Sequence, residues 1–504
     1  MNSEGPASPE PVSPEPRRLH PVGMLIDAVR TVRRWIGALV IPGIAFLASQ
    51  GFGGRTLALV LLGFVVISVL AAVWGVLRWR ATTYGVSGGA FHLRRGVIQK
   101  SERTIPLERV QSVDTVQGVI QRVFGVVEVR IETAGGGGDE PEASLSALGV
   151  EAAETLRREI QGSSGEGFRP DTGDEVEPGP EVIRSLSTRD LFIAGATSGQ
   201  IGVALSLIAV ASQTLDDLFS DSFVERIVTT LAPRSISSAI LLALAVALFA
   251  WLLAIGGTVL SYAGFTLSRE GDYLYIRRGL LERREATIPL ARIQAVKVVE
   301  GVLRQPFGLA MLRVESAGYG KDAGVSTTLF PLLPREEARE ILSRAAPEFA
   351  VEPPLQKLPR RALRRYVFRA ALPVLFLVPV LVLISAVALD SVSGAFLALL
   401  LLAPAVLLGW LRYRDAGWAL TGERLVVRSR FVARVTTVAT RRRLQSRSVV
   451  RSPFQRRLGL ATLRAQVASG GGGKDVEVVD LAEEAARAIV ERLGPRTAAP
   501  GPQG

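Results

Sequence analysis

Arginine is the residue type in this chain with the clearest potential for chemistry. From Arg412 to Arg464 there are fourteen arginines, against Asp415 and Glu423. They include Arg441, Arg442, Arg443, Arg447, Arg451, Arg456 and Arg457. A guanidinium offers a planar fork of donors that fits phosphate or carboxylate. Basic residues beside an anionic leaflet gain about 1 kcal/mol each. These seven are the candidate lipid- or partner-binding residues. The glycine runs Gly135–Gly138, Gly318–Gly320 and Gly470–Gly473 suggest phosphate loops instead. Gly473-Lys474 even has the ending of one. But Ala468 stands where the first glycine is needed, and Asp475 replaces the hydroxyl that would meet Mg²⁺. Hairpin turns are the expectation there.

Carboxylates and imidazoles offer less. Glu132 and Glu315 each follow an arginine by two residues, Arg130 and Arg313, which puts each pair on one strand face. Acid–base work would need the two carboxylates to converge. The spacing predicts strand-face ion pairs. The histidines are His20 and His92, with His92 expected on a strand, and there is no cysteine. Disulfides, Cys-zinc sites, Fe–S clusters and thiol nucleophiles are thereby excluded. With no nucleophile–base set, metal-ligand cluster or cofactor fingerprint, the sequence predicts a protein that is not an enzyme and uses no cofactor.

The elements that must position these residues begin with long apolar blocks. Hydrophobic residues make up 48% of 504, and mean hydropathy is +0.30. A span needs ~20 apolar residues. Three blocks each hold two: Trp35–Gln50 with Thr56–Leu77, Leu191–Ser212 with Ile236–Tyr262, and Phe368–Leu389 with Val392–Leu411. The net charge is +12. Because the basic residues flank the spans, membrane topology explains them and no nucleic-acid partner is expected. Arg17, Arg18, Arg30, Arg33 and Arg34 precede the first span. Arg78 and Arg80 follow the second, Arg360, Arg361, Arg364, Arg365 and Arg369 precede or enter the fifth, and Arg412 and Arg414 follow the sixth. The positive-inside rule then puts the hairpin tips outside, and the domains and both termini in the cytoplasm. The acidic, Pro- and Ser-rich stretch Met1–Pro16 lacks the basic region of a signal peptide and reads as a disordered tail.

Laying the chain on itself reveals a repeat. RRGVIQKSERTIPLERVQSVDTVQGVIQRVFGVVEVRIETAG from Arg94 aligns without a gap with RRGLLERREATIPLARIQAVKVVEGVLRQPFGLAMLRVESAG from Arg277. Ile105-Pro106-Leu107 matches Ile288-Pro289-Leu290, and Phe124-Gly125 matches Phe307-Gly308. A third copy from Arg428 keeps Arg443, Gln445, Gly459 and Arg464 but has Thr440 in place of the proline. Each copy shows short β-branched runs, then an amphipathic helix over Gly149–Ile160, Pro334–Ala345 or Leu481–Leu493. Phe124, Phe307 and Phe454 are expected in three small cores.

Paired spans followed by a domain with IPLxRIQ and a Phe-Gly before an Arg-x-Glu strand resemble the bacterial PH-like membrane proteins, once grouped as a domain of unknown function. The resemblance implies a PH-like fold, a seven-stranded sandwich capped by a helix. It also implies a hint of envelope stress and antimicrobial-peptide resistance, without a mechanism. The expected fold class is an α-helical membrane protein plus β: three transmembrane hairpins, each followed by a PH-like β-sandwich or barrel capped by its C-terminal helix. The boundaries are tail 1–20, hairpin 35–77, domain 80–161, linker 162–182, hairpin 189–262, domain 263–346, linker 347–360, hairpin 367–411, domain 414–493 and tail 494–504. The expected role is a multi-pass cell-membrane scaffold or envelope-stress component. Its expected partners are membrane lipids, anionic ones suiting the arginines, and other membrane or envelope proteins. A subunit of a transporter or exporter, and an anionic-lipid-binding module, are the alternatives.

Overall fold

The computed structural model describes residues 16–32, 54–133, 141–162, 180–199, 202, 206, 235–316, 328–389, 393–468 and 474–494. They fall in two compact units, Met1–Pro180 with Tyr275–Pro289, and Glu181–Leu274 with Leu290–Gly504.

Three described helices have segments long and apolar enough to cross a membrane: Leu61–Arg80, Ser237–Tyr262 and Arg361–Val387. The 27 residues of Gly54–Arg80 rise about 40 Å at 1.5 Å each, more than the ~30 Å of a hydrocarbon core. Leu59, Leu62, Leu70 and Val73 stand exposed on it. An apolar helix surface left open in this way suits a lipid solvent. The expected span Trp35–Gln50 lies outside the described residues, as do half of Leu191–Ser212 and all three glycine runs. Leu191 itself belongs to a short helix, Thr188–Ala196, started by the Ser187 cap and ending at Thr197.

Helices pack in pairs where a glycine lets backbones meet. In the first unit a Cβ on Gly75 would lie 2.8 Å from the carbonyl oxygen of Met24, in the helix over 23–32. In the second, helix Arg361–Leu389 lies beside Ser393–Asp415. A Cβ on Gly409 would come within 2.7 Å of Val367 Cα. Small residues at such crossings are how helices associate where lipid gives no hydrophobic drive.

The first copy forms two antiparallel sheets. One contains Thr83–Ser87, Ala90–Arg95 and Ser101–Pro106. The other contains Val110–Gln117, Val126–Thr133 and Ala143–Gly149. Alternate residues point inward, so Phe91, Leu93 and Ile105 meet Val129, Ile131 and Leu145 in one core. Helix Val150–Gly162 adds Leu156 and Ile160 to it. The third copy repeats the plan. Strands Gly417–Thr421, Arg424–Arg430 and Arg434–Thr440 face Leu444–Val450, Leu460–Val467 and Lys474–Ala482. Helix Glu483–Leu493 puts Ile489 and Leu493 among Trp418, Leu425 and Leu463.

Two features depart from the sequence reading. Segments read as tail and linkers carry strands. Arg17–Arg18 pairs with Thr83 and Tyr84, Glu181–Ser185 with strand Thr266–Glu270, and Gln356–Lys357 with Gly417 and Trp418. Leu19 is buried beside the first of these. Each copy's sheet therefore starts before its membrane helices. Successive copies also share sheets. Strand Arg283–Pro289 of the second copy pairs with Val110–Gln117 of the first, Glu285 opposite Thr115. Strand Ile293–Glu300 of the second pairs with Arg434–Thr440 of the third from Ala295↔Ala439 to Glu300↔Arg434. Edges that would otherwise invite foreign strands are closed within the chain.

Candidate functional site

The seven candidate arginines do not form one patch. Strand Gly417–Thr421 starts two residues after helix Ser393–Asp415 and runs away from it. Its turn at Glu423 accepts the Arg441 backbone N–H at 2.7 Å. Strand Arg424–Arg430 then returns to the helix, where Arg430 pairs with Asp415 at 2.5 Å. Seven residues at 3.3 Å each put about 20 Å between the two ends. Arg441, Arg442 and Arg443 occupy the end remote from the helix. There Arg441 donates to the Gly494 carbonyl oxygen, Arg442 lies 3.4 Å from Glu423, and Arg443 Nε is buried without a hydrogen-bond partner among the described residues. Arg447 lies midway, on strand 444–450. Arg451, Arg456 and Arg457 occupy the helix end. Arg451 pairs with Glu483, while Arg456 and Arg457 are exposed on the short helix Pro453–Arg457.

What the helix end does bring together is an anchor that the sequence reading missed. Asp480, fully buried, takes Arg365 Nε at 3.0 Å and Arg369 Nη2 at 2.7 Å. Gln455 donates to the same carboxylate at 2.8 Å. Tyr366 donates its hydroxyl proton to the Val479 carbonyl oxygen at 3.1 Å. One helical turn separates Arg365 from Arg369, so both forks reach one acid. Asp480 has φ +58°, a left-handed conformation that aspartate tolerates better than most residues. The bulge breaks the outer ladder near Val478 and turns the carboxylate inward.

The other copies make the same junction with different chemistry. Arg30 pairs with Glu128, which also holds Arg130 at 3.0 Å. Burial alone would raise the Glu128 carboxyl, but Arg130 and Arg30 outweigh it and hold it below its usual range. In the second copy Arg304 occupies the position of Gln121 and Gln455. It donates to the carbonyl oxygens of Pro331 at 2.9 Å and Ala194 at 3.2 Å, and to Thr197 at 3.1 Å. Burial pulls its guanidinium down to about 10. Each domain's second sheet thus grips the helix that precedes the copy's last long helix.

Between the first two strands of each second sheet lies a short tip, and here the sequence reading is corrected. Phe307 is 72% and Phe454 69% exposed, and Phe124 is exposed too. None belongs to a core. Each tip makes one or two turns of helix that point a polar residue inward: Gln121, Arg304 or Gln455. It then ends on a left-handed glycine, Gly125, Gly308 or Gly459. Phe124 and Phe307 precede that glycine. In the third copy Leu458 takes that place, and Phe454 aligns with Ile120.

The acidic pairs also differ. Arg130 pairs with Glu128, not Glu132, and Glu315 takes Lys297 at 2.7 Å. Burial and the neighbouring Asp114 push Glu132 up to about 7. His92 lies on strand 90–95, with Nδ1 3.1 Å from Thr104 Oγ1. Among the described residues no group of three acids or histidines gathers to hold a metal.

Comparison with known proteins agrees with this architecture. The UPF0699 transmembrane protein YdbT of Bacillus subtilis (strain 168) is 31% identical over 491 residues, 95% of this chain and 98% of that protein. No solved structure matches the chain. The family described as the bacterial PH domain matches residues 33–164, 223–348 and 373–497. Those three matches take in most of the chain, each running through apolar helix and β-domain together, so the chain is a multi-pass membrane protein that belongs to the bacterial PH domain family.

Proposed function

We propose that the chain is a non-enzymatic scaffold of the cell membrane. It crosses by helix hairpins, and its three PH-like sandwiches, each capped by its C-terminal helix, sit directly under the cytoplasmic leaflet with both termini. The observation that carries this reading is the Asp480 anchor. Arg365 and Arg369 project from a helix apolar enough to span, and their shared acid lies inside the domain. A domain held in this way has its height and orientation set by the membrane helix. The strand pairing between successive copies extends that constraint from one domain to the next. Such a protein presents surfaces to lipids and to membrane or envelope proteins. Of the seven arginines, Arg456 and Arg457 suit anionic headgroups, because they share the helix end. Arg441–Arg443 suit an acidic partner on the remote side.

Orientation is supported by the arginines flanking the helices, among them Arg78, Arg80, Arg412 and Arg414. The chain has no cysteine, so single cysteines report cleanly. An impermeant thiol reagent on intact cells labels Gly54→Cys and Asp217→Cys but not Ser446→Cys. Labelling of Ser446→Cys alone places the domains outside and ends this reading.

A further inference from the structure

Every copy exposes apolar side chains in two places. One is the tip already described: Val119, Ile120, Val123 and Phe124 in the first copy, Val302, Leu303 and Phe307 in the second, Phe454 and Leu458 in the third. The other is the turn before the first sheet's last strand: Ile98, then Leu280 and Leu281, then Phe431 and Val432. Ile98 is 86% and Phe431 76% exposed. Soluble surfaces scatter single apolar residues, but clusters that recur at one position in three copies mark a contact.

The strand pairing sets tip and turn side by side. In the first unit Arg122, on the first copy's tip, donates to the Leu280 carbonyl oxygen at 2.9 Å. In the second unit Arg430, beside Phe431, donates to Gln305 on the second copy's tip. These paired clusters adjoin the apolar helices. Arg412, in the last turn of helix 393–415, donates to the Phe431 carbonyl oxygen at 2.9 Å, and its guanidinium lies 4.4 Å above the Phe431 ring. Two residues on, Arg414 stacks on the exposed Trp410 one turn before it, at 5.3 Å. An exposed tryptophan with an arginine at a helix end marks headgroup depth. On the third copy's tip, Arg361 at the start of its helix donates to the Gly459 carbonyl oxygen at 3.1 Å. In the first unit Val126, next to the tip, packs on Ile26 of the helix over 23–32. These tips and turns therefore lie against the ends of the helices, with Arg456 and Arg457 exposed on the third tip.

We propose that these tips and turns are membrane wedges. Their apolar side chains enter the headgroup–acyl boundary of the bilayer that the chain itself crosses, while the arginines between them bond headgroup phosphates. The occupant is lipid because the patches adjoin the ends of helices that are apolar enough to span and exposed along their length, and because they carry the apolar-plus-cationic mixture of an interfacial segment. This deepens the reading of the domains as lying close under the bilayer. It holds on whichever side of the membrane they lie, so a wrong orientation and a wrong wedge give different results.

The test uses the full chain in proteoliposomes, with a spin label at Phe124→Cys, Phe307→Cys or Phe431→Cys, and at the remote-end sites Glu108→Cys and Ser446→Cys. At the three wedge sites, collisions with oxygen should exceed those with a water-soluble nickel chelate, and labelled lipid chains should quench a fluorophore there several-fold more than at the remote sites. At Glu108→Cys and Ser446→Cys the chelate should win. Chelate access at the wedge sites equal to that at the remote sites overturns the proposal. Wedge sites reached by neither reagent also overturn it, since a protein surface would then cover them.

Discussion

Asp480 ties a domain to its helix through one carboxylate that takes Arg365, Arg369 and Gln455. A buried acid between two arginines is costly to break, because removing one partner strands the others: about 3 kcal/mol is typical. Asp480→Asn keeps a side chain that accepts the left-handed backbone and removes only the charge. It should lower the melting temperature in detergent, and Asp480→Ala should lower it further through strain at φ +58°. Unchanged melting for both would show that the anchor does not hold the domain. Glu132 behaves oppositely. Its carboxyl is raised to about 7, so the folded state binds a proton that the unfolded chain releases near the model-peptide value. Stability from this site is present at low pH and is lost as pH climbs toward and past 7. Glu132→Gln should therefore be neutral near pH 4 and stabilising at pH 8, by at most about 3 kcal/mol. An equal effect at both pH values would contradict the burial of an ionising group. Neither residue was legible in the sequence. An acid in a strand of mixed character looks solvated until a bulge turns it inward, and Glu132 appeared paired with Arg130, whereas Arg130 takes Glu128, two residues before it on the same strand.

Elements were more legible than their neighbours. Period-two runs located the strands, and long apolar runs located the described helices, because both signals come from local burial. Edge pairing between copies left no such trace, since it is made by backbone groups that every residue carries. The tips were misread for a related reason. An aromatic beside glycine ahead of a strand looks like core, but the glycine ends a tip helix whose buried face is polar. The short strands ahead of the apolar helices hid in segments too charged or too proline-rich to show a pattern. At helix scale the prediction falls on Gly409. Its Cβ would meet Val367 Cα at 2.7 Å and the Tyr366 carbonyl oxygen at 2.9 Å. These are backbone atoms that cannot swing aside. Gly409→Leu should cost about 1–3 kcal/mol through overpacking and be read as a lower melting temperature. Gly63→Leu, with no described atom within 4 Å, should be silent. Equal effects would mean that the two helices do not cross at Gly409.

Across the molecule as a whole, successive copies are joined at their sheet edges, and their domains are also held to the apolar helices. A scaffold needs both constraints, since a domain tethered only by a linker presents no fixed surface. At the second junction the buried Glu300, 1% exposed, takes Arg434 Nε at 2.9 Å, with Arg335 at 3.4 Å. This buried pair closes the end of the ladder. The first junction has its own charge set, with Arg157 3.0 Å from Glu285 and stacked 4.3 Å over Tyr275. The most direct measurement is a cross-link along the shared edge. Val298 and Thr436 stand opposite each other, where Cα atoms of paired strands are about 4.5–5.5 Å apart, inside the range a disulfide bridges. With Val298→Cys and Thr436→Cys in one chain and a protease site inserted at 353–354, mild oxidation in native membranes should leave the two cleaved fragments joined until reductant is added. Fragments that separate without reductant, while both cysteines still react with a thiol probe, would contradict the shared sheet and with it the scaffold.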